Sequence, residues 1–515
     1  MKYSLLNAIV ILAILSACTS TRKFNKQDDG NVTINFVQVN DVYEIAPLNG
    51  GKDGGMARVA TVKKKYLSAN PNTLLVVAGD FLSPSVFNSL RYEGKAIRGK
   101  QMVEAMNAAG MDLAIFGNHE FDIPESDLLS RINESKFDWI SSNTFHSQGG
   151  NVQPFKKSLP GGGYYTFPET YIKTIHNADG RVAKIGFIAL TLPFNKVPFV
   201  EYTDAFTTAG KLYNQLKDSV DAVIAITHQS MEEDEQLAKQ IPGLALIIGG
   251  HEHDQRFEKV GNMYITKAMA NAKSAYILTM TINLKDHTVS VVPKLELLDE
   301  HMPLDSATNV VVQKWVGIAD ANYASLGFNA TKVVLSKGEP LDGREAEIRS
   351  HPTNLTKMII ASMQKTVPAA EICIMNSGSI RVDDILQMPV TQYDIIRALP
   401  YGGGIKEVDI KGRLLMQVLT AGLKNKNNGG YLQYNNDLHF DEQSGQWMLN
   451  NTALDTLKTY RVAFSEFLLT GGEANLGFLT LNNIDITKVY DVDPAKLAVM
   501  SDLRRAVIDH AATMK

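Results

Sequence analysis

The segment Gly117-Asn118-His119-Glu120-Phe121-Asp122 gathers an amide, an imidazole and two carboxylates within one short stretch. Asn118 offers a neutral oxygen ligand, and His119 offers a proton that titrates near neutral pH. Asp122, three residues on from His119, can accept its second ring N–H and fix the tautomer. The same residues also suit a polar turn that caps a helix, with Asn118 as N-cap and Glu120 in the first turn. Just before them, Leu113-Ala114-Ile115-Phe116 reads as a short buried strand. In open α/β sheets ligands collect beyond the carboxyl ends of strands, so this turn stands where chemistry is expected.

Other apolar runs end in the same way. Residues 32–39 alternate and end at Asn40-Asp41, and residues 73–78 end at Gly79-Asp80. Residues 222–226 end at Thr227-His228, and residues 244–248 end at Gly249-Gly250-His251-Glu252-His253. One His or Asp after a strand is commonly a satisfied polar residue, but five strands delivering Asp, Asn or His at one end point to a shared site. The glycines permit tight turns and close approach of backbone to a bound group. Helical spacing runs through 56–66 and through 101–109, the latter stopped by Gly110. Residues 172–190 read as a hairpin about Asn177-Ala178-Asp179-Gly180. Strands alternating with helices and hairpins predict a mixed α/β layered domain.

At 515 residues the chain exceeds what one core supports, so two domains are expected. Its 44% hydrophobic and 21% charged content is that of an ordinary globular protein. A net charge of −4 provides no basic footprint, which argues against a nucleic-acid polymer as partner. Lys2, the apolar residues 5–15 and then Leu15-Ser16-Ala17-Cys18 have the architecture of an export signal. Leu-Ser-Ala-Cys also resembles the bacterial lipobox, which implies a signal over residues 1–18 and lipidation at Cys18. Residues 19–30 are polar and charged, as a tether from a membrane anchor would be. The other cysteine, Cys373, lies in an apolar run and reads as a small buried hydrophobe, so no disulfide framework is expected.

Asn40-Asp41, Gly79-Asp80, Gly117 to Asp122, Thr227-His228 and Gly250-His251-Glu252-His253 together resemble the five blocks of the calcineurin-like metallophosphoesterases. Gly54-Gly55-Met56-Ala57-Arg58 and the Gly-Asn-His-Glu-Phe-Asp form are similar to the 5′-nucleotidase branch. The resemblance implies an α/β (α+β layered) fold: an N-terminal metallophosphoesterase β-sandwich flanked by helices, a hinge helix and a second α/β substrate-binding domain. The expected boundaries are 31–298, 299–328 and 329–515. It also implies two divalent ions (Zn, Mn, Mg or Fe). Asp80 would bridge them, Asn118, His228 and His251 would complete one site, and Asp41 and His253 would serve the other. Two cations polarise phosphoryl oxygens and lower the pKa of a water, so that hydroxide attacks in line. His119, oriented by Asp122, would stabilise transition-state charge or protonate the leaving oxygen. The first block usually reads Asp-x-His, but here it is Asp41-Val42-Tyr43-Glu44. A Tyr of ordinary pKa near 10 is a poor ligand at neutrality, so a first metal site with fewer protein ligands is expected. Glu44, next to Tyr43 on extended chain, should point to the opposite face.

Beyond the charged residues 296–304, residues 305–324 read as an amphipathic helix with Val310, Val311, Trp315 and Ile318 on one side. Three later blocks are polar and glycine-rich: Asn376-Ser377-Gly378-Ser379-Ile380-Arg381, Leu399-Pro400-Tyr401-Gly402-Gly403-Gly404 and Phe467 to Glu473. Singly, each is an ordinary turn. They resemble the 5′-nucleotidase C-terminal domain. That likeness implies that Arg349, Asn376 and Arg381 bind polar groups of the substrate, Tyr401 and Phe467 sandwich a base, and Glu473 takes ribose hydroxyls. Tyr401 stands where Phe is usual and Glu473 where Asp is usual, both conservative. The block from Arg349 to Lys357 lacks the usual Glu and Gly-Asn.

The reading is an exported, lipid-anchored metallophosphoesterase that hydrolyses nucleoside 5′-monophosphates. A UDP-sugar or nucleotide pyrophosphatase, or a cyclic-nucleotide phosphodiesterase on the same site, is the nearest alternative. A nucleotide-binding surface lipoprotein with a degenerate metal site is the alternative of another class.

Overall fold

The computed structural model describes residues 29–514 apart from 178, 195 and 436. Cys18, the export signal and nearly all of the tether therefore lie outside the described residues. The N-terminal half is built on two six-stranded sheets. In the first, Asn31–Val39 pairs in parallel with Thr73–Val77 and antiparallel with Ser274–Asn283. Leu113–Ala114 and Asp138–Trp139 extend the parallel side. In the second, Val182–Thr191, Ala222–His228 and Leu246–Gly250 run parallel side by side.

Period-two alternation explains how the sheets stack. Val32, Ile34 and Phe36 face Ile185, Phe187, Ile224 and Leu246 of the other sheet in one buried core. The intervening Val37 and Val39 face outward onto Val59, Val62, Met102 and Val103 of helices Met56–Ala69 and Lys100–Ala109. Helices Ala205–Leu216 and Met231–Gln240 cover the second sheet in the same way. Where both faces of a strand are covered, as over Thr73–Val77 and Ala222–His228, the strand reads as a continuous apolar run. Burial stabilises each large side chain by about 1.5–3 kcal/mol. The result is a helix–sheet–sheet–helix stack in which parallel strands of both sheets end on one side.

Two local expectations change. The strand before Gly117 is regular only over Leu113–Ala114, because Ile115 and Phe116 already turn toward the site while remaining buried. Helix Ser306–Ser325 buries Thr308, Val312, Trp315, Ala319 and Tyr323, whereas Val310 is 71% exposed. Val310 stands about 140° of helical turn from Trp315, and the larger ring takes the covered side. Trp315 is fully buried and its indole N–H donates to Glu104 at 2.9 Å, fixing this helix to the first domain.

After this helix a five-stranded mixed sheet forms in the order Leu432–Tyr434, Ile372–Asn376, Thr459–Ser465, Ile405–Lys411, Ile486–Val489. Helix Gly412–Lys424 packs against Ile374, Val408 and Val462 on one face. Helix Asn354–Thr366 packs against Cys373 and Met375 on the other. Cys373 is fully buried with a free thiol, which burial pushes up to about 12.

Candidate functional site: a carboxylate–imidazole cluster facing a polar cleft

The strand ends converge. Single ligand atoms of Asp41, Asp80 and His228 lie within 4.8 Å of one another, and all three residues are buried. Asp41 and Asp80 both adopt left-handed backbone, with φ of 53° and 54°. Such conformations are costly for non-glycine residues and gather at functional sites. Here they turn each chain sharply out of its strand and point both carboxylates to one place. Gly79 has no room for a side chain: a Cβ there would come within 2.5 Å of the Gly117 nitrogen and 2.7 Å of the His228 ring.

Glu120 holds the two central turns together. Its Oε2 accepts the N–H of Gly117 at 2.6 Å and of Asp80 at 2.8 Å; its Oε1 accepts those of Phe81 at 2.7 Å and Leu82 at 3.0 Å. Although it lies in the single helical turn His119–Asp122, it acts as a buried anchor for the neighbouring turns. Burial, together with the neighbouring Asp80 charge, pushes its carboxyl up to about 7 against the pull of these N–H groups. Asn118 precedes a single helical turn, His119–Asp122, and its side chain makes no cap bond, so the helix-capping reading of this segment fails.

Partners orient the rings of His228 and His253. His228 Nδ1 bonds the Ala78 carbonyl at 2.8 Å, which leaves Nε2 directed at Asp80 Oδ2, 3.1 Å away. Burial disfavours the charged form of this ring, but Asp80 and Asp41 outweigh it and raise its pKa to about 9. His251 is pulled down to about 3 by burial and by His228, so it stands as a neutral imidazole. Its backbone N–H donates to Asp41 Oδ2 at 3.0 Å. His253 Nε2 lies 3.6 Å from Asp41 Oδ1 and 2.9 Å from the Tyr43 hydroxyl. Tyr43 does more than line the pocket. Its hydroxyl also lies 3.2 Å from Asp41 Oδ1 and 3.4 Å from Asp80 Oδ2. Glu44 turns away as expected and accepts the Tyr393 hydroxyl at 2.7 Å.

Two carboxylates and imidazole nitrogens, converging in a buried place, are a donor set suited to divalent cations, and this chain's residues fit them. Behind the cluster, buried Lys267 meets Asp234 at 2.9 Å, the Gln229 carbonyl at 2.7 Å and Glu252. Sequence reasoning missed this support, since nothing in the run before Lys267 marks it as internal.

At the rim, His119 Nδ1 bonds Asp122 Oδ2 at 2.7 Å, and Ser83 Oγ donates to the same oxygen at 3.1 Å. His119 and Asp122 line a cleft of about 610 Å³ whose far wall carries Arg381 and Tyr401 of the second domain. Tyr401 is 67% exposed. Arg349 sits beside Arg381 and pairs with Glu345; burial first, and then Arg381, lower its pKa to about 10. Asn376 donates to Glu473 Oε2 at 2.6 Å. Phe467 is 45% exposed with its ring near Gly472, and among the described residues it does not stack on Tyr401. The structure therefore brings together Asp41, Asp80, His228 and His253, and across the cleft His119, Asp122, Arg381 and Tyr401.

Comparison with known proteins agrees with this arrangement. The calcineurin-like phosphoesterase family model matches residues 34–255, and the 5′-nucleotidase C-terminal domain model matches residues 331–480. The chain therefore carries a calcineurin-like phosphoesterase domain followed by a 5′-nucleotidase C-terminal domain. It is a hydrolase of the calcineurin-like phosphoesterase type. It is 27% identical over 469 residues to the trifunctional nucleotide phosphoesterase YfkN of Bacillus subtilis, a match of 81% of this chain and 31% of that one. The Bos taurus 5′-nucleotidase is 25% identical over 399 residues, 70% of this chain and 65% of that protein. Among solved structures, the 5′-nucleotidase precursor of Thermus thermophilus superposes with a TM-score of 0.68 at 22% identity, covering 94% and 97% of the two chains. The two-domain 5′-nucleotidase fold is thus shared. Divalent metal ions are a feature of the family. No helix among the described residues is long and apolar enough to cross a membrane.

Proposed function

We propose that the protein is an exported, metal-dependent phosphohydrolase that releases phosphate from nucleoside 5′-monophosphates. The observation that carries this reading is the buried Asp41–Asp80–His228 cluster beside a cleft walled by His119 and Asp122 on one side and by Arg381 and Tyr401 on the other. Asp80 would bridge two divalent ions, with Asn118, His228 and His251 holding one and Asp41 and His253 the other. When bound, such ions polarise phosphoryl oxygens and make a water nucleophilic near neutral pH. The chain's own groups supply the rest. Asp122 holds His119 through Nδ1, which leaves Nε2 to meet the leaving oxygen or the charge that develops on it. Arg381 and Arg349 bring positive charge to the polar end of the substrate. Tyr401 and Phe467 offer exposed aromatic faces to a base, and Glu473 offers a carboxylate to ribose hydroxyls.

A substrate panel tests the substrate class. Base stacking is worth ~1–3 kcal/mol per aromatic and tolerates every base. Phe467→Ala should lose ~10-fold in kcat/KM on adenosine and uridine monophosphates alike. On a small aryl phosphate the loss should be slight. An equal loss on all three substrates would remove Phe467 from the substrate site. For the anchor, Cys18→Ser should move the protein from the membrane to the soluble fraction; a wild-type protein already wholly soluble would refute lipidation.

A further inference from the structure

One contact of the metal-ligand set comes from the other domain. His253 Nδ1 bonds Asp383 Oδ2, and these two side chains are 21% and 24% exposed. Asp383 lies in the loop that leaves strand Ile372–Asn376, two residues after Arg381. Its backbone is left-handed, with φ of 37°, an uncommon state for Asp that aims the carboxylate out of its own domain. The other carboxylate oxygen accepts the Glu345 N–H, so the side chain is held from behind. The next residue, Asp384, bonds Lys273 of the first domain at 2.6 Å. With Nδ1 engaged, the ring presents Nε2 to Asp41 and Tyr43.

We propose that Asp383 is a positioning residue for the metal centre. The second domain supplies the carboxylate that orients His253 and fixes its tautomer, so the first metal site is complete only while the two domains are docked. This rests on the reading of His253 as a ligand. A carboxylate on the far nitrogen of a ligating imidazole raises its basicity, and loss of such a partner typically costs 10–100-fold in metal affinity. The short loop that carries Arg381 into the substrate cleft also carries Asp383 to the metal ligand. Docking the substrate arginine and setting the metal ligand are therefore one event. By linkage, metal at this site strengthens domain docking by the same factor that docking strengthens metal binding.

The test is a Mn²⁺ titration of the full chain after chelation and dialysis, read by calorimetry and by metal content. Wild-type protein should take up two equivalents. Asp383→Ala should weaken one of them ~10–100-fold and leave the other unchanged. Asp383→Asn should do the same and decides the matter should the alanine variant not fold, while Asp383→Glu should recover most of the affinity. Lys273→Ala breaks the adjacent contact without touching His253 and should titrate as wild type. Wild-type affinities in both Asp383→Ala and Asp383→Asn would overturn the assignment. So would a loss in Lys273→Ala as large as that in Asp383→Ala, since docking alone would then explain it. A wild-type protein that takes up no Mn²⁺ would instead bring down the metal centre itself, and the role of Asp383 with it.

Discussion

Replacing Glu120 by Gln should cost more stability than any exposed substitution in the chain, and the size of the loss follows from its bonds. The carboxylate accepts four backbone N–H groups, two on each oxygen, at 2.6–3.0 Å. All four come from the turns that carry Asp80 and Asn118. A glutamine keeps one oxygen and turns an NH₂ toward the other two donors. Two buried N–H groups then lose their acceptor, at about 1–3 kcal/mol each, or about 2–6 kcal/mol in all. Urea unfolding of metal-free wild type and Glu120→Gln, followed by tryptophan fluorescence, measures the difference without interference from ligand binding. The same variant should lose most of its metal affinity, because Asp80 depends on this anchor for its position. A change within about 0.5 kcal/mol, the range of a neutral surface substitution, would refute the idea that Glu120 ties the turns together.

Further outcomes follow from the site. His119→Ala should retain wild-type metal content and lose ~10²–10³ in turnover; full turnover would remove His119 from the chemistry. Tyr43→His replaces a hydroxyl placed among Asp41, Asp80 and His253 by an imidazole, and should tighten retention of one metal during dialysis; unchanged stoichiometry and affinity would exclude Tyr43 from the ligand position. Glu296 provides a pH test away from the site. Burial alone would raise its carboxyl, but hydrogen bonds from Lys294, Lys65 and Tyr66 prevail and hold it down to about 2. A depressed carboxylate contributes stability above its unfolded pKa of about 4.3, and that contribution is lost as pH falls from there toward 2. Glu296→Gln should therefore be less stable than wild type at pH 6 and equal to it near pH 2, as read by urea midpoints; a gap that persists at pH 2 would show that the effect is packing.

Much of the catalytic half was legible because its signals are local. Apolar strands ending in Asp41, Asp80, His228 and His251 state both the element and the group it delivers, and Gly110 closes its helix in the left-handed conformation expected of it. Asp122 lies three residues from His119, and that spacing alone implied their bond. What stayed hidden depends on distant partners. The roles of Glu120 and Lys267 arise from burial against segments far along the chain, which their own sequence neighbourhoods do not reveal. Asp383 could not be read at all, since its partner lies 130 residues away in another domain. The covered side of helix Ser306–Ser325 was misjudged at Val310 because apolar spacing does not say which of two adjacent stripes a neighbouring domain will cover.

The central claim is tested most directly by phosphate release from adenosine 5′-monophosphate, with metal content measured on the same samples. The protein as purified should contain two divalent ions per chain and release phosphate. After chelation and dialysis it should release none, and restoring a divalent ion such as Mn²⁺ should return activity in step with metal uptake. Undiminished phosphate release from metal-free protein, or full metal uptake without any phosphate release, would contradict it.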